Sequence, residues 1–89
     1  MKPLRALRVG DWFKFKEYCP WQECASSVAK VYRIDHPNAA YQGYTVESEI
    51  WFSVRNFGTF HCRKRSLRPW IERIYSIEEN ALLELKYGS

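Results

Sequence analysis

From Gly43 to Val54 the chain alternates in a two-residue rhythm: Tyr44, Val46, Ser48, Ile50, Phe52 and Val54 fall between Thr45, Glu47, Glu49, Trp51 and Ser53. One set is mostly apolar and the other mostly polar. That pattern predicts a long antiparallel strand with one face in the core and one in solvent. Arg55-Asn56-Phe57-Gly58 then supplies Asn and Gly for a short reversal into a returning strand over Thr59 to Lys64. Asp11 to Lys16 has the same period, with Trp12, Lys14 and Lys16 on one face and Phe13 and Phe15 on the other, inward face. Ser27 to Ile34 is rich in β-branched and aromatic residues and stops at the turn formers Asp35-His36-Pro37-Asn38. Between these strands, Glu17 to Ser26 reads as a loop, because Pro20 cannot donate to a strand ladder. After Pro69 a short last strand is predicted over Trp70 to Tyr75.

The period changes near the C-terminus. Ser76-Ile77-Glu78-Glu79 matches a capping box, in which a serine hydroxyl and a glutamate carboxylate satisfy each other's backbone donors. It predicts a helix to about Tyr87, with Ile77, Ala81, Leu82 and Leu85 on one apolar face and Gly88 as its stop. The predicted fold is mainly β: one domain over residues 1–89, with a small antiparallel barrel of about five strands over roughly 9–75 and an α-helix over roughly 77–87. Its expected core is Phe13, Phe15, Val28, Ile34, Val46, Ile50, Phe52, Phe60 and Leu67.

Two short motifs carry a resemblance. Val9-Gly10-Asp11-Trp12, where the first strand begins, and Ser66-Leu67-Arg68-Pro69-Trp70, before the last one, resemble the opening and closing of SH3-like barrels of the Tudor and KOW type. The resemblance covers roughly residues 9 to 74 in element order and implies a small binding barrel. RNA-cleaving toxin barrels of the MazF type are similar at the Gly-Asp step, but where they carry Arg-Pro on the second strand this chain has Ala29-Lys30-Val31.

Composition adds a class. With 46% hydrophobic and 17% aromatic residues in 89, the chain is expected to fold rather than remain disordered. No apolar stretch resembles a secretory signal or a membrane span, and three cysteines cannot all pair, so a cytoplasmic protein is expected. The net charge of +4 is unevenly spread. Cations concentrate in residues 1–16 and 54–73, while the remainder, including the C-terminal helix, is acidic. Phosphates are neutralised by Lys and Arg, and exposed rings stack on unpaired bases. The expected function is therefore a non-catalytic module that binds nucleic acid through one basic face built from Lys14, Lys16, Arg55, Arg63, Lys64, Arg65 and Arg68, with Trp12 and Trp51 as candidate stacking rings. Because Trp51 lies beside Glu47 and Glu49, the alternative is a protein-binding accessory or inhibitor of the phage or mobile-element type, docking on a host nucleic-acid enzyme.

Other chemistry is excluded on spacing. Cys19 and Cys24, with His61-Cys62 downstream and His36 besides, offer soft ligands, but adjacent strand residues point to opposite faces, so no bound metal and no cofactor are expected. Neither a phosphate-cradling glycine loop nor a nucleophile motif is present, and no enzyme activity is expected. Pro69 is expected to force Arg68 into an extended conformation, so that Trp70 turns back beside Leu67 and closes the barrel.

Overall fold

The computed structural model describes residues 7–35, 48–55 and 57–87. Its elements run β1 (Trp12–Phe15), β2 (Val28–Asp35), β3 (Glu49–Val54), β4 (Gly58–Arg63), α1 (Lys64–Leu67), a 3-10 turn (Arg68–Trp70), β5 (Ile71–Ile74) and α2 (Ile77–Tyr87). All five strands form one antiparallel sheet in the order β4-β3-β2-β1-β5. The protein is mainly β, with a C-terminal helix, as the periodicities predict.

The sheet buries one face. Phe13, Phe15, Ala29, Val31, Ile50, Phe52, Val54 and Ile71 are buried on it, with Leu7 and Leu67 closing the ends. Phe52 of β3 lies 5.7 Å from both Phe13 and Phe15, which belong to a strand two places away. Flat neighbouring strands sit about 4.8 Å apart, so these contacts require a curled sheet. Irregular register between Lys14 and Phe15 and between Val31 and Arg33 supplies local bends of the kind bulges produce. The loop between β1 and β2 contributes Cys19, Cys24 and Trp21 to the core, with the Trp21 ring 6.2 Å from Phe15.

The start of β1 explains the Gly-Asp pair. Gly10 adopts φ +96°, a left-handed conformation that glycine tolerates and larger residues disfavour. The Asp11 carboxylate accepts from the Arg8 backbone N–H at 2.7 Å, and the Asp11 N–H donates back to the Arg8 carbonyl at 3.0 Å. A tight turn results, aimed into the sheet by the Gly10 N–H donating to the Val31 carbonyl.

Four expectations need correction. Val28 is only half-buried, because its register with Lys14 places it on the outer face; Ala29 and Val31 fill the core instead. Ile34 and Phe60 pack against the core without being fully buried. Arg68 is helical (φ −53°, ψ −42°), not extended: Pro69 occupies the first turn of a 3-10 segment, where its missing N–H leaves no bond unmade. Trp70 still packs against the core, and its carbonyl accepts from the Lys16 N–H at 2.8 Å. The fourth concerns α2, whose predicted apolar face points outward. Ile77, Leu82 and Leu85 are 73%, 67% and 85% exposed. Val46 and the first half of the long strand, with His36, Glu47 and Gly88, lie outside the described residues.

The capping box forms as predicted. The Ser76 N–H donates to Glu79 Oε1 at 3.0 Å, and the Glu79 N–H donates to Ser76 Oγ at 3.1 Å. The bond from the Ser76 backbone is the largest of several effects that hold the Glu79 carboxyl below its ordinary value, the Arg73 guanidinium adding to it. Ser76→Ala should lower stability by about 1 kcal/mol, measured as a shift in the denaturant midpoint at unchanged slope. Because the folded-state pKa is depressed, the Glu79 contribution is present above the unfolded-state value and is lost as the pH falls through the folded one. The difference between parent and Glu79→Gln should therefore shrink on acidification.

Candidate functional site

The inner face of α2 rests on the outer face of the sheet, and Trp12 holds it there. The Trp12 backbone N–H donates to Asn80 Oδ1 at 3.1 Å, and its indole Nε1–H donates to Glu84 Oε2 at 3.1 Å. Tyr87 adds a ring contact with Trp12 at 6.2 Å, and Asn80 Nδ2 donates to Asp11 Oδ1 at 3.4 Å. Trp12 is 5% exposed in consequence. Its expected role as a stacking ring is therefore corrected: alternation places it on the outer face of the sheet, and the helix then covers that face.

Where α2 leaves the sheet, it forms one wall of an open groove of about 710 Å³. Trp12, Lys30 and Ser53 form its floor, Glu84, Lys86 and Tyr87 its helical wall, and Arg55, Phe57 and Gly58 of the β3–β4 turn its far wall. Gly58, at φ +105°, permits a reversal sharp enough to leave Phe57 54% exposed at the rim. The Arg55 guanidinium lies 4.0 Å from the centre of the Tyr87 ring, and the Lys86 ammonium 5.2 Å from the same ring. Lys30 pairs with Glu84 at 2.5 Å and sits 5.9 Å from the centre of the Trp12 ring. The Lys30 bond, joined by the Trp12 donor, holds the Glu84 carboxyl below its ordinary value. Three cations, one carboxylate and two accessible rings thus line one concave surface, a chemistry that suits an anion carrying a flat apolar group.

The seven predicted cations do not form one face. Arg55 is in the groove. Arg63 pairs in register with Glu49, at the opposite end of β3, roughly 20 Å away for six residues of strand. Lys64, Arg65 and Arg68 cluster on α1 and the 3-10 turn, where the Lys16 backbone meets Trp70. There partial burial, with Arg68 as the lesser cause, holds the Lys64 ammonium below its ordinary value, a sign of crowded positive charge. Lys14 pairs with Glu72 at 3.5 Å, a surface contact worth little to stability. Lys30 and Lys86, both in the groove, escaped the sequence reading, because they stand singly in β2 and in an otherwise acidic helix.

Trp51 does project from the outer face, half-buried, with His61 stacked on it at 4.1 Å and the Arg33 guanidinium 5.4 Å from its ring centre. His61 Nδ1 in turn contacts Glu49. Flanking strands therefore cover both faces of this ring, and its Nε1 is buried without a hydrogen-bond partner among the described residues. It is not the residue beneath α2.

At the other side of the core, a smaller cavity of about 360 Å³ is lined by Trp21, Cys24, Phe52, Phe60 and Cys62. Burial pushes the Cys24 thiol up to about 11 and the Cys62 thiol up to about 12, so both stay protonated at neutral pH and make weak nucleophiles. Among the described residues no group of three His, Cys, Asp or Glu side chains is placed to hold a metal ion. Nor, among them, is any helix long and apolar enough to cross a membrane. Comparison of the chain with protein-family models, with curated proteins and with solved structures finds no match.

Proposed function

We propose that this protein is a small non-catalytic module that binds single-stranded nucleic acid in the groove between α2 and the β3–β4 turn, and that its curled sheet is an SH3-like barrel. The barrel reading rests on β5 returning, after a one-turn 3-10 segment, to pair with β1 at the edge opposite β4. The observation that carries the binding reading is the convergence of Lys30, Arg55 and Lys86 around the exposed Phe57 and Tyr87. Arg55 and Lys86 neutralise backbone phosphates, and Phe57 gives a base a ring on which to stack, worth about 1–3 kcal/mol. The β3–β4 turn and the end of α2 shape the cleft, so the ligand follows the groove rather than the flat sheet.

Salt dependence tests this reading. With about three phosphates engaged, log K for a single-stranded oligonucleotide should fall with log salt at a slope near −2, from about −0.7 per phosphate. Replacing Arg55 and Lys86 together by Ser should reduce the slope by about 1.4. Replacing Arg65 and Arg68 by Ser, at the other basic cluster, should leave it unchanged. If the second variant loses the slope and the first retains it, phosphate is bound at the α1 corner and the groove reading is wrong. If the parent shows no salt-dependent binding to DNA or RNA, the reading of a nucleic-acid module fails as a whole.

A further inference from the structure

The groove uses only the inner half of α2. Asn80, Glu84 and Tyr87 are engaged with Trp12, and the opposite half presents Ile77, Ala81, Leu82 and Leu85 to solvent, with the three large side chains 73%, 67% and 85% exposed. Exposed aliphatic side chains scattered singly are ordinary, but three on one face of an 11-residue helix make a contiguous patch of the kind that marks a contact surface. Glu78 and Lys86 are the charged residues that share this outward side, one in the first turn and one in the last.

We propose that this face is the contact surface of a symmetric dimer, and that what covers it is a second copy of the chain with its α2 antiparallel. The pattern is self-complementary. Ile77, Ala81 and Leu85 follow one another at four-residue steps, with a large side chain at either end and a small one in the middle, where two helices can approach closely. A two-fold axis beside Ala81 lays the first turn of each helix over the last turn of the other, so Glu78 of one copy meets Lys86 of its partner on both sides of the axis. A parallel pairing would instead oppose Glu78 to Glu78. A partner surface of one charge sign meets either Glu78 or Lys86 with the wrong charge, whereas a second antiparallel copy satisfies both. Antiparallel helix dipoles add to the preference. The patch is small, roughly 16 Å by 10 Å for a helix of this length, against about 800 Å² per partner in a standard stable interface. The dimer is accordingly weak and reversible. It stands independently of what the groove binds.

Sedimentation equilibrium of the full chain at low salt, from about 10 μM to about 1 mM, spans the range in which small interfaces associate. The average mass should climb from 10.7 kDa toward twice that value. Leu85→Arg should stay at the monomer mass throughout, with an unchanged melting temperature because the residue is exposed. Glu78→Lys and Lys86→Glu should each lower the association constant by about 2- to 20-fold, since symmetry breaks both ion pairs at once. Mixing those two single variants should restore association, because every contact across the axis again joins a cation to a carboxylate. A parent that remains monomeric over the whole range overturns the proposal. So does a Leu85→Arg chain that associates like the parent, or a mixture that associates no better than either variant alone.

Discussion

Ile50→Asp is expected to abolish folding. Ile50 is fully buried at the centre of β3, in register with Ile34 of β2 and Cys62 of β4. Removing its side chain alone costs about 2–5 kcal/mol. A carboxylate introduced there has no cation to pair with on the apolar face, and its desolvation costs several kcal/mol more. Small domains hold about 5–15 kcal/mol in total, and a chain of this size belongs toward the low end. The variant should therefore lack a cooperative melt, with its far-ultraviolet circular dichroism collapsed. Ser53→Asp, on the outer face of the same strand between Lys30 and Thr59, should shift stability by no more than about 0.5 kcal/mol. If Ile50→Asp melted cooperatively with a native spectrum, β3 would present its other face to the core and the described register would be wrong.

Trp12→Ala should have the next largest effect, lowering stability by about 3–5 kcal/mol, the range for truncating a large buried aromatic side chain. The loss has a local consequence as well. Glu84 loses its indole donor and Tyr87 its ring partner, so α2 should open more often than the sheet. Hydrogen exchange should show the amides of α2 losing protection ahead of those of β2 and β3, and the groove, which needs the helix as a wall, should weaken in step. Trp51→Ala is the comparison. That ring is half-buried and stacked on His61, and its removal should cost about 0.5–1.5 kcal/mol and leave α2 protected. Equal losses for the two tryptophans, or unchanged protection of α2 in Trp12→Ala, would show that the helix is held by something other than Trp12.

The division between what was legible and what was not follows sequence distance. Alternation in β1 and β3, the turn signals around Gly10 and Gly58, and the capping box at Ser76 all act between residues a few positions apart, so period and residue type suffice to read them. They yield the strands, their inward residues Phe13, Phe15, Ile50 and Phe52, and the start of α2. The α1 helix and the helical Arg68 were missed because four basic and polar residues carry no period, and the turn they form is selected by the need to carry the chain from β4 to β5 across the end of the sheet.

Alternation says only that Trp12 and Trp51 both point away from the core. Which of them α2 covers is decided by bonds across 68 and 72 positions of sequence, from Trp12 to Asn80 and Glu84. The same docking turns the apolar stripe of α2 outward, although on hydrophobicity alone that stripe is the natural face to bury: the opposite face carries the acceptors that the Trp12 backbone and indole require, and a buried donor left unpaired costs more than exposed leucines do. It also brings Lys30, Arg55 and Lys86, which stand in three separate segments of the chain, around one groove. Local order was determined by the sequence through short-range sterics and hydrogen bonding; the site was decided by tertiary structure, because a charged side chain belongs to a site only through neighbours that distant segments bring to it.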